Sequence, residues 1–163
     1  MIEKNISYLT QQFPARGELI WIGIRPERKQ PMVPVQEILA DSERGLSGDH
    51  YAGRNHKRQV TMFQWEHIAV LESFVGQSIS SEMIRRNLLI RGINLMALKN
   101  QTFQIGSAVF KTTGFCHPCS RMETVLGHGG YNAMRNHGGI TTQIIQSGQI
   151  KIGDELFVLN KEQ

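Results

Sequence analysis

Cysteine is scarce in this chain of 163 residues, where Cys116 and Cys119 are the only two. That scarcity excludes a disulfide-stapled secreted scaffold and points to reduced, usable thiols. Long apolar runs are missing as well: stretches such as Leu19-Ile20-Trp21-Ile22 fall far short of the roughly 20 residues that span a bilayer. The start, Met1-Ile2-Glu3-Lys4-Asn5, has no basic flank leading into an apolar stretch, so secretion is not expected and a cytoplasmic location is. Neither a basic stripe interleaved with aromatics nor a zinc-finger or RNP-type motif occurs, which sets nucleic acid aside as a partner. No sign of charge dominates, because 18 Lys and Arg face 14 Asp and Glu for a net +4. An anionic partner is permitted and not required.

What remains is an ordinary globular composition, 40% hydrophobic and 20% charged, of a length that suits one core. Residues 1–16 are polar and read as an N-terminal arm, with a single domain over 17–159. Glu18 to Ile24 reads as a buried strand that Pro26 and Pro31 end, followed by an extended segment holding Val33, Val35 and Ile38. Gly45 and Gly48 predict tight turns. A strand over 58–63 leads into a helix-spaced run through Phe74 with Gly76 as its C-cap, and Ser80 caps a short helix that ends near Arg85. Asn87 to Ile90 is the next strand, and 101–115 is a hairpin about Gly106. Pro118 breaks that hairpin's second strand, and a helical turn begins near Ser120. The 127–139 stretch, rich in Gly and His, reads as a mobile flap or a flexible surface connection. The stretch 150–157 echoes 103–110, which suggests two similar hairpins closing one barrel. Trp21 and Trp65 read as core. Many strands, few long helices and no alternating strand-helix rhythm predict a mainly β, barrel-like domain with helical insertions.

The chemistry centres on Gly114-Phe115-Cys116-His117-Pro118-Cys119-Ser120-Arg121. Two thiols three apart can share a metal, exchange disulfides, or divide into a buried and a reactive cysteine. Zinc fits poorly, since no second short-spaced ligand pair follows and His128 and His137 are far apart in a loop. Disulfide exchange fits poorly too, because the pair falls late in a β-rich chain and not at a strand-to-helix junction of a βαβ unit. Cys116 follows an apolar strand and is expected to pack inward. Cys119, on the turn after Pro118 where a starting helix favours a thiolate, is the reactive candidate. Two polar loops precede strands: 48–58, with Asp49, His50, Tyr51, Arg54, His56, Lys57 and Arg58, and Arg85-Arg86-Asn87. Converging at one barrel end, they would offer guanidinium forks and an amide to an anionic, heteroaromatic ligand.

In order along the chain, Gly45-Leu46-Ser47-Gly48-Asp49-His50, Arg58-Gln59-Val60-Thr61, Arg86-Asn87-Leu88, Ile105-Gly106-Ser107-Ala108, Pro118-Cys119 and 148–154 resemble the MOSC domain, named for the C-terminal domain of molybdenum cofactor sulfurase. The likeness covers roughly residues 17–159. It implies a MOSC-type β-barrel that binds the molybdenum–molybdopterin cofactor or handles its terminal sulfur, with Cys119 as molybdenum ligand or sulfur carrier and Arg86 and Asn87 lining the cofactor pocket. Arg58 matches a further basic pocket position.

The aminotransferase-like and companion β-barrel domains of larger relatives are not matched here, so this chain itself is expected to bind no PLP. Three activities stay open under the resemblance. In the first, molybdenum held by Cys119, with pterin and phosphate held by Arg58, Arg86 and Asn87, reduces a small N-hydroxylated substrate using electrons from a separate donor protein. In the second, Cys119 carries sulfur as a persulfide received from a sulfur-donor protein. In the third, the domain binds the pterin cofactor without turnover. None involves a membrane.

Overall fold

The computed structural model describes residues 5–51 and 53–159. After a short helix α1 (Ile6–Leu9), capped by Asn5, the chain forms β1 (Gly17–Ile24), β2 (Val33–Val35), β3 (Glu37–Asp41), β4 (Gly45–Leu46) and β5 (Val60–Gln64). Helices α2 (His67–Val75) and α3 (Ser81–Ile84) lead to β6 (Leu88–Arg91), and a 3-10 turn (Leu95–Leu98) leads to the hairpin β7 (Thr102–Ile105) and β8 (Ala108–Phe115). Helices α4 (Ser120–Leu126) and α5 (Gly130–Met134) precede β9 (Ile140–Gln146), β10 (Gly148–Lys151) and β11 (Glu155–Val158).

Pairing in the order β11-β7-β8-β9-β5-β6-β1, with β1 returning to β11, closes a seven-stranded barrel that carries β2 outside β1. A closed sheet leaves no strand edge to template aggregation. The expected mainly β barrel with helical insertions is therefore the fold. Strand β5 pairs in parallel with β6, and a parallel neighbour requires a long crossover. Helices α2 and α3 supply it. Both faces of these two strands are consequently covered: Met62, Leu88 and Ile90 belong to one apolar cluster, while Phe63 and Leu89 join Leu71, Ile84, Met122, Leu126 and Met134 under the helices. That double burial is why β6 reads as an unbroken Leu-Leu-Ile run instead of an alternating one.

A three-stranded sheet, β10-β3-β4, adds Ile38, Ala40, Leu46 and Ile150 to the first cluster. Strands β10 and β11 thus belong to different sheets, so the 150–157 echo of the β7–β8 hairpin is not a second hairpin. Tight turn Gly153 (φ 96°) redirects the chain between them, and Gly153 N donates to Leu19 O. The 127–139 stretch also departs from expectation. It contains α5, with Gly130 and Met134 buried, and Gly130 packs so tightly on Leu126 and the Met122 carbonyl that a Cβ there would have to displace them. Gly130, Gly138 and Gly139 serve close packing, whereas Gly127 and Gly129 have open space about them and serve backbone conformations of positive φ. Trp65 is 44% exposed and Trp21 only half-buried, because the short turn into α2 holds Trp65 on the rim while Trp21 lies across Gly23.

Candidate functional site

Strand register brings the ends of five strands, β1, β6, β5, β9 and β8, to one end of the barrel. Ile22 pairs with Leu88, Leu88 with Met62, Met62 with Ile140, and Ile140 with Phe115. The chain leaving β1 after Ile24, entering β6 from Asn87 and leaving β8 after Phe115 therefore does so at one level. There it encloses a cavity of about 540 Å³. Cys119, Arg58, Arg86 and Asn87, the four residues that sequence singled out, all line it, as do Asp49, His50 and Tyr51 from the 48–58 loop.

The two cysteines divide as their settings require. Cys116 is 2% exposed, and its Sγ lies 3.6 Å from Arg58 Nη2. Cys119 is exposed and free, in extended conformation as the N-cap of α4, with no side-chain hydrogen bond to the helix. Its thiol is thereby left for the cavity.

Arg86 holds the cysteine turn in place. It is 7% exposed, and Nε donates to Gly138 O at 2.9 Å while Nη2 donates to Cys116 O at 3.4 Å. Nη1 reaches Ile84 O and Arg85 O, both at 3.4 Å. Cys116 N completes the clasp by donating to Gly139 O at 2.8 Å. Burial pushes the Arg86 guanidinium below its usual range, with Cys116 opposing, but a guanidinium keeps its charge. A buried arginine with its donors spread over backbone carbonyls both fixes geometry and supplies positive potential to the cavity wall.

Asn87 is equally committed. Its Oδ1 accepts from Thr61 N at 3.0 Å and Thr61 Oγ1 at 3.1 Å, and Nδ2 donates to Gly23 O at 3.2 Å, tying β1, β5 and β6 together at the cavity floor. Among the described residues Asp49 is the one carboxylate that lines the cavity. Its Oδ1 accepts from Arg25 N at 2.7 Å, and burial, the largest influence on it, raises its carboxyl above the usual range.

Sequence reading missed the cations that complete the wall. Arg25, Arg28 and Lys29 come from the loop after β1, and Arg121 from the first turn of α4. The signal was present: Arg25-Pro26-Glu27-Arg28-Lys29 sets three cations directly behind a buried strand, and Arg121 lies two residues past Cys119. Arg85 takes a left-handed conformation (φ 57°) as C-cap of α3 and ties this loop by donating from Nη2 to Gln30 O at 3.2 Å. Conversely, Arg54, His56 and Lys57 do not line the cavity, and Arg91 pairs with Glu18 at 2.8 Å instead. His128 is exposed beside Glu123. His137 packs edge-on against His67, ring centroids 5.0 Å apart, so neither distal histidine reaches Cys119's cavity.

A family model described as the MOSC domain matches residues 47–157, which hold Cys119, Arg58, Arg86 and Asn87. The chain belongs to the MOSC domain family. Members of that family are associated with binding of the molybdenum cofactor. Among solved structures, this MOSC domain resembles the YuaD protein from Bacillus subtilis at 16% identity, covering 93% of this chain and 100% of that one with a TM-score of 0.78. YiiM from Geobacillus stearothermophilus is similar at 15% identity, 88% and 75% coverage and TM-score 0.71. YiiM from Escherichia coli follows at 18%, 91%, 72% and 0.70. At such identities these likenesses speak for the fold. No curated protein matches the chain. Among the described residues no helix is long and apolar enough to cross a membrane.

Proposed function

We propose that this MOSC domain binds the molybdenum–molybdopterin cofactor in the 540 Å³ cavity, with Cys119 Sγ as the metal's protein ligand, and reduces a small N-hydroxylated substrate there. The observation that carries the reading is one free, exposed thiol in a cavity whose wall holds seven cations, Arg25, Arg28, Lys29, Arg58, Arg85, Arg86 and Arg121, against one carboxylate. A soft thiolate selects a soft or high-valent metal, and uncompensated cations select phosphate. The residues fit the group by the chemistry of their donor set, an exposed thiol among guanidinium and ammonium groups.

When bound, the cofactor supplies two-electron redox chemistry at the metal. This chain's residues bind, orient and protonate. Arg86 and the Gly138–Gly139 segment fix the turn that carries Cys119, and Arg58, its Nη2 3.6 Å from Cys116 Sγ, adds a guanidinium to the same cavity wall. Reduction of N–OH to N–H consumes two electrons and two protons and releases water. The electrons come from a separate donor protein. Asp49 is the carboxyl placed to hand on a proton, since burial raises it above the usual carboxylate range.

The test is molybdenum content and pterin fluorescence of protein made in a cofactor-proficient host. Wild type should retain both, Cys119→Ser should lose the metal, and Cys116→Ser should keep most of it. A metal-free wild type whose Cys119 releases sulfur to cyanide would point to the sulfur-carrier reading. Equal loss in both variants with the fold intact would mean that the two thiols form one site.

A further inference from the structure

Two histidines outside the cavity touch each other. His67 opens α2, and His137 follows α5 and directly precedes Gly138 and Gly139. Their rings meet edge to face, with centroids 5.0 Å apart and planes at 86°. Phe63 of β5 and Phe74 of α2 close round them, with centroids 6.5 Å from His67 and 6.0 Å from His137 respectively. His137 Nδ1 is buried and has no hydrogen-bond partner among the described residues, so a proton added there finds no acceptor.

The charges around the pair give a proton little welcome. Burial, followed by His137, holds His67 below its ordinary range, and Glu66 opposes them. Glu66 is itself engaged by the Gln64 amide and by Gly92 N. Glu72 of α2 accepts from Ile79 N, and Glu123 of α4 accepts from the amides of Gly129 and Tyr131. Beyond His137, Arg86 is a fixed cation bound at Gly138 O, and Arg135 is exposed.

A displacement of His137 reaches the cysteine turn directly. Gly138 O accepts from Arg86 Nε at 2.9 Å, and Gly139 O accepts from Cys116 N at 2.8 Å. This segment has no slack, because a Cβ at Gly138 would overlap Cys116 O and one at Gly139 would overlap Met62 O. On its other side, His137 N is tied to Met134 O at 2.9 Å.

We propose that His67 and His137 are positioning residues that make the turn carrying Cys119 sensitive to pH. Neutral, they pack edge to face and hold Gly138 and Gly139 against Cys116; when the pair takes up a proton, His137 parts from His67 and the clasp loosens. Because His67 is held low in the packed form, the clasp is complete above the ordinary histidine value of about 6.5 and weakens as pH falls below it. The device sets the turn and does not depend on what Cys119 binds.

The experiment follows the ring signals of both histidines, the Arg86 Nε–H and the Cys116 N–H by nuclear magnetic resonance on the whole chain, from about pH 7.5 to 5.5. In wild type the Arg86 and Cys116 signals should shift with the same midpoint as the rings. Exchange of the Cys116 amide, corrected for its intrinsic rate, should become at least roughly tenfold faster over that range. The Leu19 amide, which donates to Asp154 O away from the turn, should hold its position. His67→Phe keeps an aromatic edge without a charge, and in it the Arg86 and Cys116 signals should stay still and the exchange should rise less than about twofold. His67→Gln should behave in the same way and decides the matter if the phenylalanine variant does not fold by circular dichroism. Rings that titrate while Arg86 and Cys116 stay still would overturn the coupling. So would an equal response in the variants, or a shift of Leu19 as large as that of Cys116, which would mean loosening of the whole domain.

Discussion

Replacing Gly138 with alanine should unfasten the cysteine turn from the barrel while removing no functional side chain. A Cβ at this position overlaps the Cys116 carbonyl oxygen, a backbone atom that cannot swing aside, and comes within 3.5 Å of Arg86 Nη2. Gly138 has no left-handed backbone, so the entire effect is contact. Overpacking a buried site costs about 1–3 kcal/mol. Shifting Gly138 O also strains the 2.9 Å bond from Arg86 Nε, and a bond from a charged donor is worth roughly 1.5–3 kcal/mol. The two losses share one displacement and do not add fully, so a destabilisation of roughly 2–4 kcal/mol is expected. For a domain of this size that lowers Tm by roughly 5–15 °C. Urea denaturation followed by circular dichroism measures it, with Gly114→Ala as control: its Cβ would meet only Thr141 Oγ1 at 3.6 Å, an ordinary contact. The control should stay within about 1 kcal/mol of wild type, on the stabilising side if the lower unfolded-chain entropy of alanine dominates. Equal stability of Gly138→Ala and Gly114→Ala would refute the clasp between Arg86, Gly138 and Cys116.

The two arginines assigned to the cofactor should separate in their effects. Arg86→Ala should lower stability by at least about 3 kcal/mol in urea, because a buried charge with four carbonyl partners is lost, whereas Arg58→Ala should change stability by less than about 1 kcal/mol and weaken cofactor retention in a salt-dependent manner. Equal stability of the two variants would remove the structural role given to Arg86. Stability should also depend on pH through His67, which burial, followed by the neighbouring His137, holds below its ordinary range, while Glu66 opposes. The unfolded chain then takes up the proton first, so stability is full above the ordinary histidine value of about 6.5 and falls as pH drops below it. Denaturation midpoints measured from pH 7.5 to 5.5 should fall less steeply in His67→Gln, and parallel slopes would show that this histidine does not titrate with folding.

Much of the barrel was legible because its signals are local. Alternation in β7 and β8, the left-handed Gly76 at the end of α2, and the break at Pro118 all express themselves within a few residues. What failed was non-local. The echo of 103–110 in 150–157 is real in sequence, but β10 pairs with β3 and β11 with β7, and only tertiary pairing sends two adjacent segments to different sheets. Glycine carries two opposite meanings, freedom and closeness, and the sequence of 127–139 does not separate them. The structure does: a Cβ at Gly139 would overlap Met62 O, and Gly130 lies against Leu126. Cys119, Arg58, Arg86 and Asn87, singled out by motif, all line the cavity, but the different bonding of each was not legible in the sequence. Whether an arginine faces a ligand or a carbonyl is decided by burial, and Arg86, adjacent in sequence to the partly exposed Arg85, is the buried one.

That division explains why one end of this barrel can hold so much like charge. A bare cluster of seven cations would oppose folding, yet the cavity wall spreads them over separately anchored elements. The Arg86 charge is stabilised by the dipoles of four backbone carbonyls, and Arg85 is held by Gln30 O. Asn87, satisfied on both its oxygen and its amide, bonds β6 to β1 and β5 without adding charge. The scaffold thus fixes the cations nearest the strands through neutral backbone partners and leaves those on the loop after β1 and on α4 with free donors. The cations whose side chains bond to nothing among the described residues are then Arg25, Arg28, Lys29 and Arg121, while the turn that carries Cys119 is held by Arg86, Gly138 and Gly139. Substitution on the loop therefore changes the charge of the cavity wall without moving the thiol, whereas substitution at Arg86 or Gly138 moves the thiol and leaves the loop's cations in place.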